Sequence, residues 1–181
     1  MGAGDDDGWM DHLVLDDAID LFETAPPEYL LEAALDVIEV VNRRGGGRTA
    51  PSALGAQEID VYVALPDGAY IYDARTHALK LVAASDLRRV TGYQDFADEA
   101  PLDLVYVADH RRMRMVPVAQ RESYASAAAG AIAQNVYLYA ASAGLATVIR
   151  AWIDRDAVAD ALGLGHDEHV VLSQTVGYPH R

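Results

Sequence analysis

Between Ser123 and Ile149 the chain carries no Lys, Arg, Asp or Glu, and this stretch limits the fold more than any other. Ala, Leu, Ile and Tyr occupy nearly every face of its first two thirds, and a helix that is apolar all round is expected to be buried. Many of its residues are small, so neighbouring elements can approach its backbone closely. Ser126, Gln134, Asn135 and Ser142 interrupt the run, so it does not read as a membrane span. Gly144 is placed to end the helix in a left-handed conformation, and the β-prone segment Leu145 to Trp152 follows at once. The expected frame is a central helix that turns through a glycine corner into a strand.

A chain of 181 residues suits one domain, here residues 11–181 behind an acidic tail, residues 1–10, expected to be disordered. Apolar residues make up 51% of the chain, enough for a substantial core. The absence of cysteine excludes disulfide and thiolate chemistry and favours a reducing compartment. The N-terminus is acidic where a signal peptide would be basic, so a soluble cytoplasmic protein is expected, with no membrane partner. The net charge of −14 opposes binding to nucleic acid. Lys80 is the only lysine, and the acidity reads equally as salt adaptation or as a genome that prefers Arg and Ala.

Asp11 to Phe22 is expected to form a short helix. Ala25-Pro26-Pro27-Glu28 starts another, with Leu30, Leu31, Ala34, Leu35, Ile38 and Val41 facing a core. Asn42 to Arg48 breaks it. Ile59 to Leu65 then reads as a strand, Pro66-Asp67-Gly68 as a turn, and Tyr70 to Asp73 and Ala78 to Val82 as further strands of an antiparallel meander. Ser85 is placed to cap a helical stretch through Arg89, and Asp95 to Glu99 suits a second short helix. Leu102 to Ala108 reads as a buried strand and the Arg-rich Asp109 to Gln120 as a surface loop or lid. Asp154 caps a helix over Ala157 to Leu162, and Glu168 to Val176 is the last strand. Helices, meander, helix, strand, helix, strand is an α+β order.

At Arg48-Thr49-Ala50-Pro51-Ser52-Ala53, followed by Gln57-Glu58-Ile59-Asp60-Val61-Tyr62-Val63, the chain resembles the nitroreductase family of FMN-dependent oxidoreductases. It looks closest to the branch with azoline-peptide dehydrogenases and compact nitroreductases. Tyr72-Asp73, Asp86-Leu87-Arg88, Ala100-Pro101, Gln134-Asn135, Gly144-Leu145-Ala146-Thr147 and Val176-Gly177-Tyr178-Pro179 extend the match. The resemblance implies an α+β, nitroreductase-like fold: a central, mainly antiparallel sheet flanked by helices, in an intertwined homodimer with FMN sites at its interface. It implies ping-pong electron transfer from NAD(P)H through FMN to a small-molecule acceptor. It puts Arg48, Pro51, Ser52 and Gln57 beside the flavin and its ribityl chain, and backbone N–H groups of Gly144 and Leu145 near the reactive N5 edge. Arg181 is a candidate phosphate ligand. No catalytic side chain is assigned.

The sequence also departs from the family. An Arg-Arg-Ser-x-Arg-x-Phe helix usually holds the FMN phosphate; the matching stretch is Asp16-Asp17-Ala18-Ile19-Asp20-Leu21-Phe22, and its carboxylates would repel a phosphate. In Pro-Ser-x-x-Asn-x-Gln the asparagine is replaced by Gly55, and the adjacent Lys-Tyr pair of the azoline dehydrogenases is missing. Two functions therefore compete. One is an FMN-dependent oxidoreductase. The other is a flavin-free homologue that serves as a binding or partner subunit. A third reading puts a deazaflavin or a small metabolite in place of FMN.

Other motifs read more blandly. Arg43, Arg44 and Arg48 around three glycines form a flexible loop, with Arg48 alone a candidate for phosphate. His166 and His169 suit a solvated turn, because a structural zinc site wants four ligands. Ser52 has no GxSxG elbow to make it a nucleophile. Tyr137 and Tyr139 read as packing residues, and a buried Asn135 is expected to bond to backbone rather than to touch the cofactor. Arg111, Arg112 and Arg114 read as a solvated face rather than a receptor for an anionic nicotinamide cofactor.

Overall fold

The computed structural model of the chain describes residues 46–179. The expected N-terminal tail and helices, the aspartates of the first helix, Arg43, Arg44 and Arg181 all lie outside the described residues. Six strands form one sheet: β1 (Ile59–Leu65), β2 (Gly68–Asp73), β3 (Ala78–Ala83), β4 (Leu102–Asp109), β5 (Ala146–Arg150) and β6 (Glu168–Gly177). Their order is β3-β2-β1-β4-β6-β5, and every neighbouring pair is antiparallel. Among the described residues three α-helices accompany them: α1 (Asp95–Glu99), α2 (Val118–Ala143) and α3 (Arg155–Leu162).

The sheet is covered on both faces. That is why β4, in its middle, reads LDLVYVAD with no alternation and is buried along its whole length. On one face Ile59, Val61, Val63, Leu104 and Tyr106 pack against Ala125, Ala129, Ile132, Ala133 and Val136 of α2. The alanines bring the helix close, and each larger side chain buried there contributes about 1.5–3 kcal/mol. On the other face Tyr62, Val105, Val107 and Val170 pack against Ile153, Val158 and Leu162. The expected Asp154 cap holds α3: its carboxylate accepts the Ala157 N–H at 3.0 Å.

Three expectations need correction. The helix starting at Ser85 does not form. A 3-10 turn, Arg88–Val90, stands there, because the Asp86 carboxylate takes both the N–H and the guanidinium of Arg88. The Arg-rich stretch is not one loop: Asp109 caps a 3-10 turn at His110–Arg112, and α2 already begins at Val118, behind Pro117. Finally, α2 is not buried all round. Ala125, Ala128, Ala129, Ile132, Ala133, Val136 and Ala140 are buried, whereas Tyr124, Ala127, Gln134, Leu138 and Ala141 are exposed. One sheet can cover only one side of a helix, so the chain keeps an uncharged outer face. No helix among the described residues is long and apolar enough to cross a membrane.

Candidate functional site

The residues from Arg48 to Gln57 form a knotted loop that leads into β1. Ser52 Oγ accepts the backbone N–H of Gln57 at 2.9 Å and closes the loop on itself. Gln57 Nε2 donates to the Gly46 carbonyl at 2.8 Å, so the side chain ties the loop's start to its end. Between them Leu54 (φ 53), Gly55 (φ 70) and Gln57 (φ 50) all adopt left-handed backbone. For non-glycine residues that conformation costs on the order of 1–3 kcal/mol and persists only when neighbours hold it. Gly55 stands where the family has asparagine, and these two residues tolerate φ > 0 best. The departure therefore keeps the backbone shape. A Cβ at Gly55 would meet nothing within 4 Å.

Two cavities lie against this loop and share Pro51 and Ser52. One, of about 330 Å³, is lined by Gly47 to Ser52, Gly55 and Gln57, and it includes Arg48. The other, of about 360 Å³, is lined by Pro51 to Leu54 and by Tyr124, Ala127 and Ala128 of α2, and its walls are mostly apolar. The loop thus separates a hollow of mixed polarity that contains Arg48 from an apolar one. An amphipathic ligand with an anionic end and an aromatic end matches that division. Arg48, Pro51, Ser52 and Gln57 all line the first of these hollows.

Gly144 and Leu145 are elsewhere. Gly144 ends α2 at φ 69, ψ 28, the left-handed corner read from the sequence. Its N–H and that of Leu145 both donate to the Ala140 carbonyl, the latter at 2.8 Å, so both serve the helix cap. Ala128, beside the loop, precedes Gly144 by sixteen residues of one helix, which at 1.5 Å per residue is about 24 Å. Within one chain the two segments do not flank a common ring-sized ligand.

Of the three arginines read as a solvated face, only Arg112 turns inward, whereas Arg111 and Arg114 stay exposed. Arg112 Nη1 donates to the Gln57 carbonyl at 2.9 Å, its Nη2 pairs with Asp60, and its Nε lies 3.3 Å from Asp109. Arg111 pairs with Asp109 at 2.8 Å and with Glu168 at 2.7 Å. Arg114 stays exposed and donates to the Arg111 carbonyl. Burial pushes the Asp60 carboxyl up, against the charge and hydrogen bond of Arg112. Burial raises Asp109 too, but the bonds from Arg111 and the charges of Arg112 and Arg111 outweigh it and hold that carboxyl low. Sequence reasoning missed Arg112 and Tyr124 as site neighbours. The Arg112–Asp60 pair spans fifty-two residues and leaves no local signal.

Of the two histidines read as a solvated turn, only His166 lies in one; His169 is part of β6. His166 is fully exposed, and His169 stacks on His110 with ring centroids 4.2 Å apart. No group of three or more metal-binding side chains exists among the described residues. Tyr137 is a packing residue whose hydroxyl accepts the Ile149 N–H at 2.9 Å. Asn135 is not bonded as expected: its buried Nδ2 has no hydrogen-bond partner.

The sequence model of the nitroreductase family matches residues 23–178. The chain belongs to the nitroreductase family. Among solved structures it is similar to a protein of Ralstonia eutropha JMP134 assigned as a nitroreductase, at 51% identity and a TM-score of 0.84, covering 90% of this chain and 78% of that one. It also shares its fold, at 18% identity and a TM-score of 0.78, with a chain of the Escherichia coli microcin synthetase McbBCD complex, covering 98% of this chain and 74% of that one. A protein of Methanocaldococcus jannaschii assigned as a nitroreductase is 31% identical over 113 residues, 57% of this chain. The match spans 57% of that curated relative's own length.

Proposed function

We propose that this nitroreductase-family oxidoreductase is FMN-dependent and passes electrons from NAD(P)H to a small-molecule acceptor in ping-pong fashion, as a homodimer. The observation that carries the reading is the Arg48–Gln57 loop, which puts a hollow of mixed polarity that contains Arg48 and an apolar hollow on either side of Pro51-Ser52. FMN joins a phosphate to a planar ring system, so the two hollows fit the two kinds of surface it presents. When bound, it supplies reversible hydride acceptance. Arg48 offers the guanidinium for an anionic group. Pro51 and Ser52 form the dividing wall, and Gln57 holds the loop's shape through Gly46 and Ser52.

The separation of about 24 Å between this loop and the Gly144-Leu145 corner favours a site completed by a second copy. The uncharged outer face of α2, with Tyr124, Ala127 and Leu138, is the surface two copies would share. In such a pair the loop of one protomer would meet the glycine corner of its partner. Arg181 belongs to the same proposal as a phosphate ligand.

One observation favours the flavin-free alternative. The Gly144 and Leu145 N–H groups assigned to the flavin edge are both turned onto Ala140. The visible absorption spectrum of the purified protein, alone and after addition of FMN, separates the two. A flavin spectrum that NADH or NADPH bleaches without oxygen supports the enzyme. Failure to take up FMN at any accessible concentration overturns it and leaves the partner subunit. Light scattering that shows a stable monomer at micromolar concentration overturns the shared site.

A further inference from the structure

We infer that Arg112 is a positioning residue for the cofactor loop: it fixes the Gln57 backbone, and through it the shape of the hollows on either side of Pro51-Ser52. The inference rests on the proposed FMN reading for its ligand, but the geometry stands on its own. Gln57 is held at three points. Its N–H donates to Ser52 Oγ, its side chain donates to the Gly46 carbonyl, and its carbonyl accepts from Arg112 Nη1 at 2.9 Å. The first two partners belong to the loop itself. Arg112 is the partner that ties Gln57 to the sheet.

Arg112 can do this because its guanidinium is itself fixed on two sides. Asp60, at the start of β1, pairs with Nη2, and Asp109, at the end of β4, lies 3.3 Å from Nε. Asp60 and Asp109 come from adjacent antiparallel strands, which meet at Ile59 and Ala108. The 3-10 turn at His110–Arg112 then carries the side chain back over β1. A planar fork reaching two carboxylates and a carbonyl at once requires arginine; the ammonium of lysine is a single point of charge. The left-handed φ of 50 at Gln57 is a conformation that needs such restraint.

The test compares Arg112→Lys, Arg112→Gln and Arg114→Ala with the unmodified protein. Arg114 is a cation in the same stretch whose side chain reaches the Arg111 carbonyl instead of the loop. FMN affinity is read by flavin fluorescence, folding by thermal melting without FMN, and loop order by hydrogen exchange of the Gln57 amide without FMN. Arg112→Lys should keep the melting temperature and weaken FMN about tenfold or more, as expected for losing one charge-assisted hydrogen bond. It should also speed exchange at Gln57. Arg112→Gln should do the same to a greater degree, and Arg114→Ala should leave all three readings unchanged. The inference fails if Arg112→Lys exchanges at Gln57 like the unmodified protein. It fails equally if Arg114→Ala weakens FMN as much, because the effect would then be charge alone. If the unmodified protein takes up no FMN, the cofactor reading falls, and Gln57 exchange alone decides whether Arg112 positions the loop.

Discussion

Two arginines brace this sheet, and their surroundings set them apart. The Arg150 side chain is 3% exposed and meets Asp103, which is fully buried, at 3.0 Å. Its Nε donates to Ser173 Oγ at 3.2 Å, it lies over the Phe96 ring, and Thr175 and Thr91 complete the carboxylate's shell. The Arg112 side chain is 30% exposed and its partner Asp60 is 23% exposed. Arg150 fastens the segment from Thr91 to Phe96 onto the sheet and touches neither cavity of the candidate site. Arg112 fastens a loop at the sheet's edge. The same ion-pair chemistry is therefore used inside for the fold and at the rim for the shape of a site. In the interior water cannot replace a lost partner, whereas at the rim it can.

Arg150→Met is the largest expected break in that comparison. It leaves the buried Asp103 carboxyl without its cation, which costs about 3–5 kcal/mol. Urea unfolding should show a large drop in midpoint with little change in slope. A change below about 1 kcal/mol would mean that the buried pair behaves like a surface pair and that burial does not distinguish the two arginines.

Gly92→Ala probes the same network without touching a charge. A Cβ at Gly92 would lie 2.8 Å from Arg150 Nη1. Arginine tips usually move aside cheaply, but this one is held by Asp103 and Ser173. The expected cost is about 1–3 kcal/mol, as for overpacking a core. A neutral outcome would show that the guanidinium has room to move.

Gly144→Val makes the opposite case, at the far end of α2. A Cβ there meets nothing within 4 Å, so any penalty comes from the backbone at φ 69. At least about 1 kcal/mol is expected for a β-branched residue in the left-handed region. Gly144→Asn, which tolerates that region, should recover much of it. Equal melting temperatures for the valine and asparagine variants would remove the backbone explanation.

These positions also mark what could be read from the chain. Ile59–Leu65, Asp95–Glu99, the Gly144 corner and the Asp154 cap were legible because each is set by residues next to one another in sequence. The Arg48–Gln57 loop was legible through resemblance, and the structure adds why Gly55 fits it. Arg112 and Arg150 were not legible as braces. Their partners Asp60 and Asp103 lie fifty-two and forty-seven residues away, and only the antiparallel register brings them together. The α2 reading went wrong for a related reason: hydrophobic content shows that a face can be buried, but the number of layers decides whether it is.

The smallest expected effect concerns pH and again separates rim from interior. His110 opens the same 3-10 turn that carries Arg112. Burial lowers its pKa, and the neighbouring His169 and Arg121 lower it further, against the weaker pull of Glu122 and Asp167. In the unfolded chain the imidazole takes up its proton near pH 6.5, its ordinary value of about 6.5. Below that pH, and until the folded-state value is reached, the unfolded chain binds more protons than the folded one. Stability therefore falls as pH falls through this window and is fully present above it. The unmodified protein should lose melting temperature on acidification through this range, and His110→Gln should lose less. Hydrogen exchange should rise first in the His110–Arg112 turn and at Gln57, while amides of Thr91 and Ser173 around Arg150 stay protected. Equal loss of protection at both arginines would mean that acid opens the whole sheet at once, and that the rim brace is no more labile than the buried one.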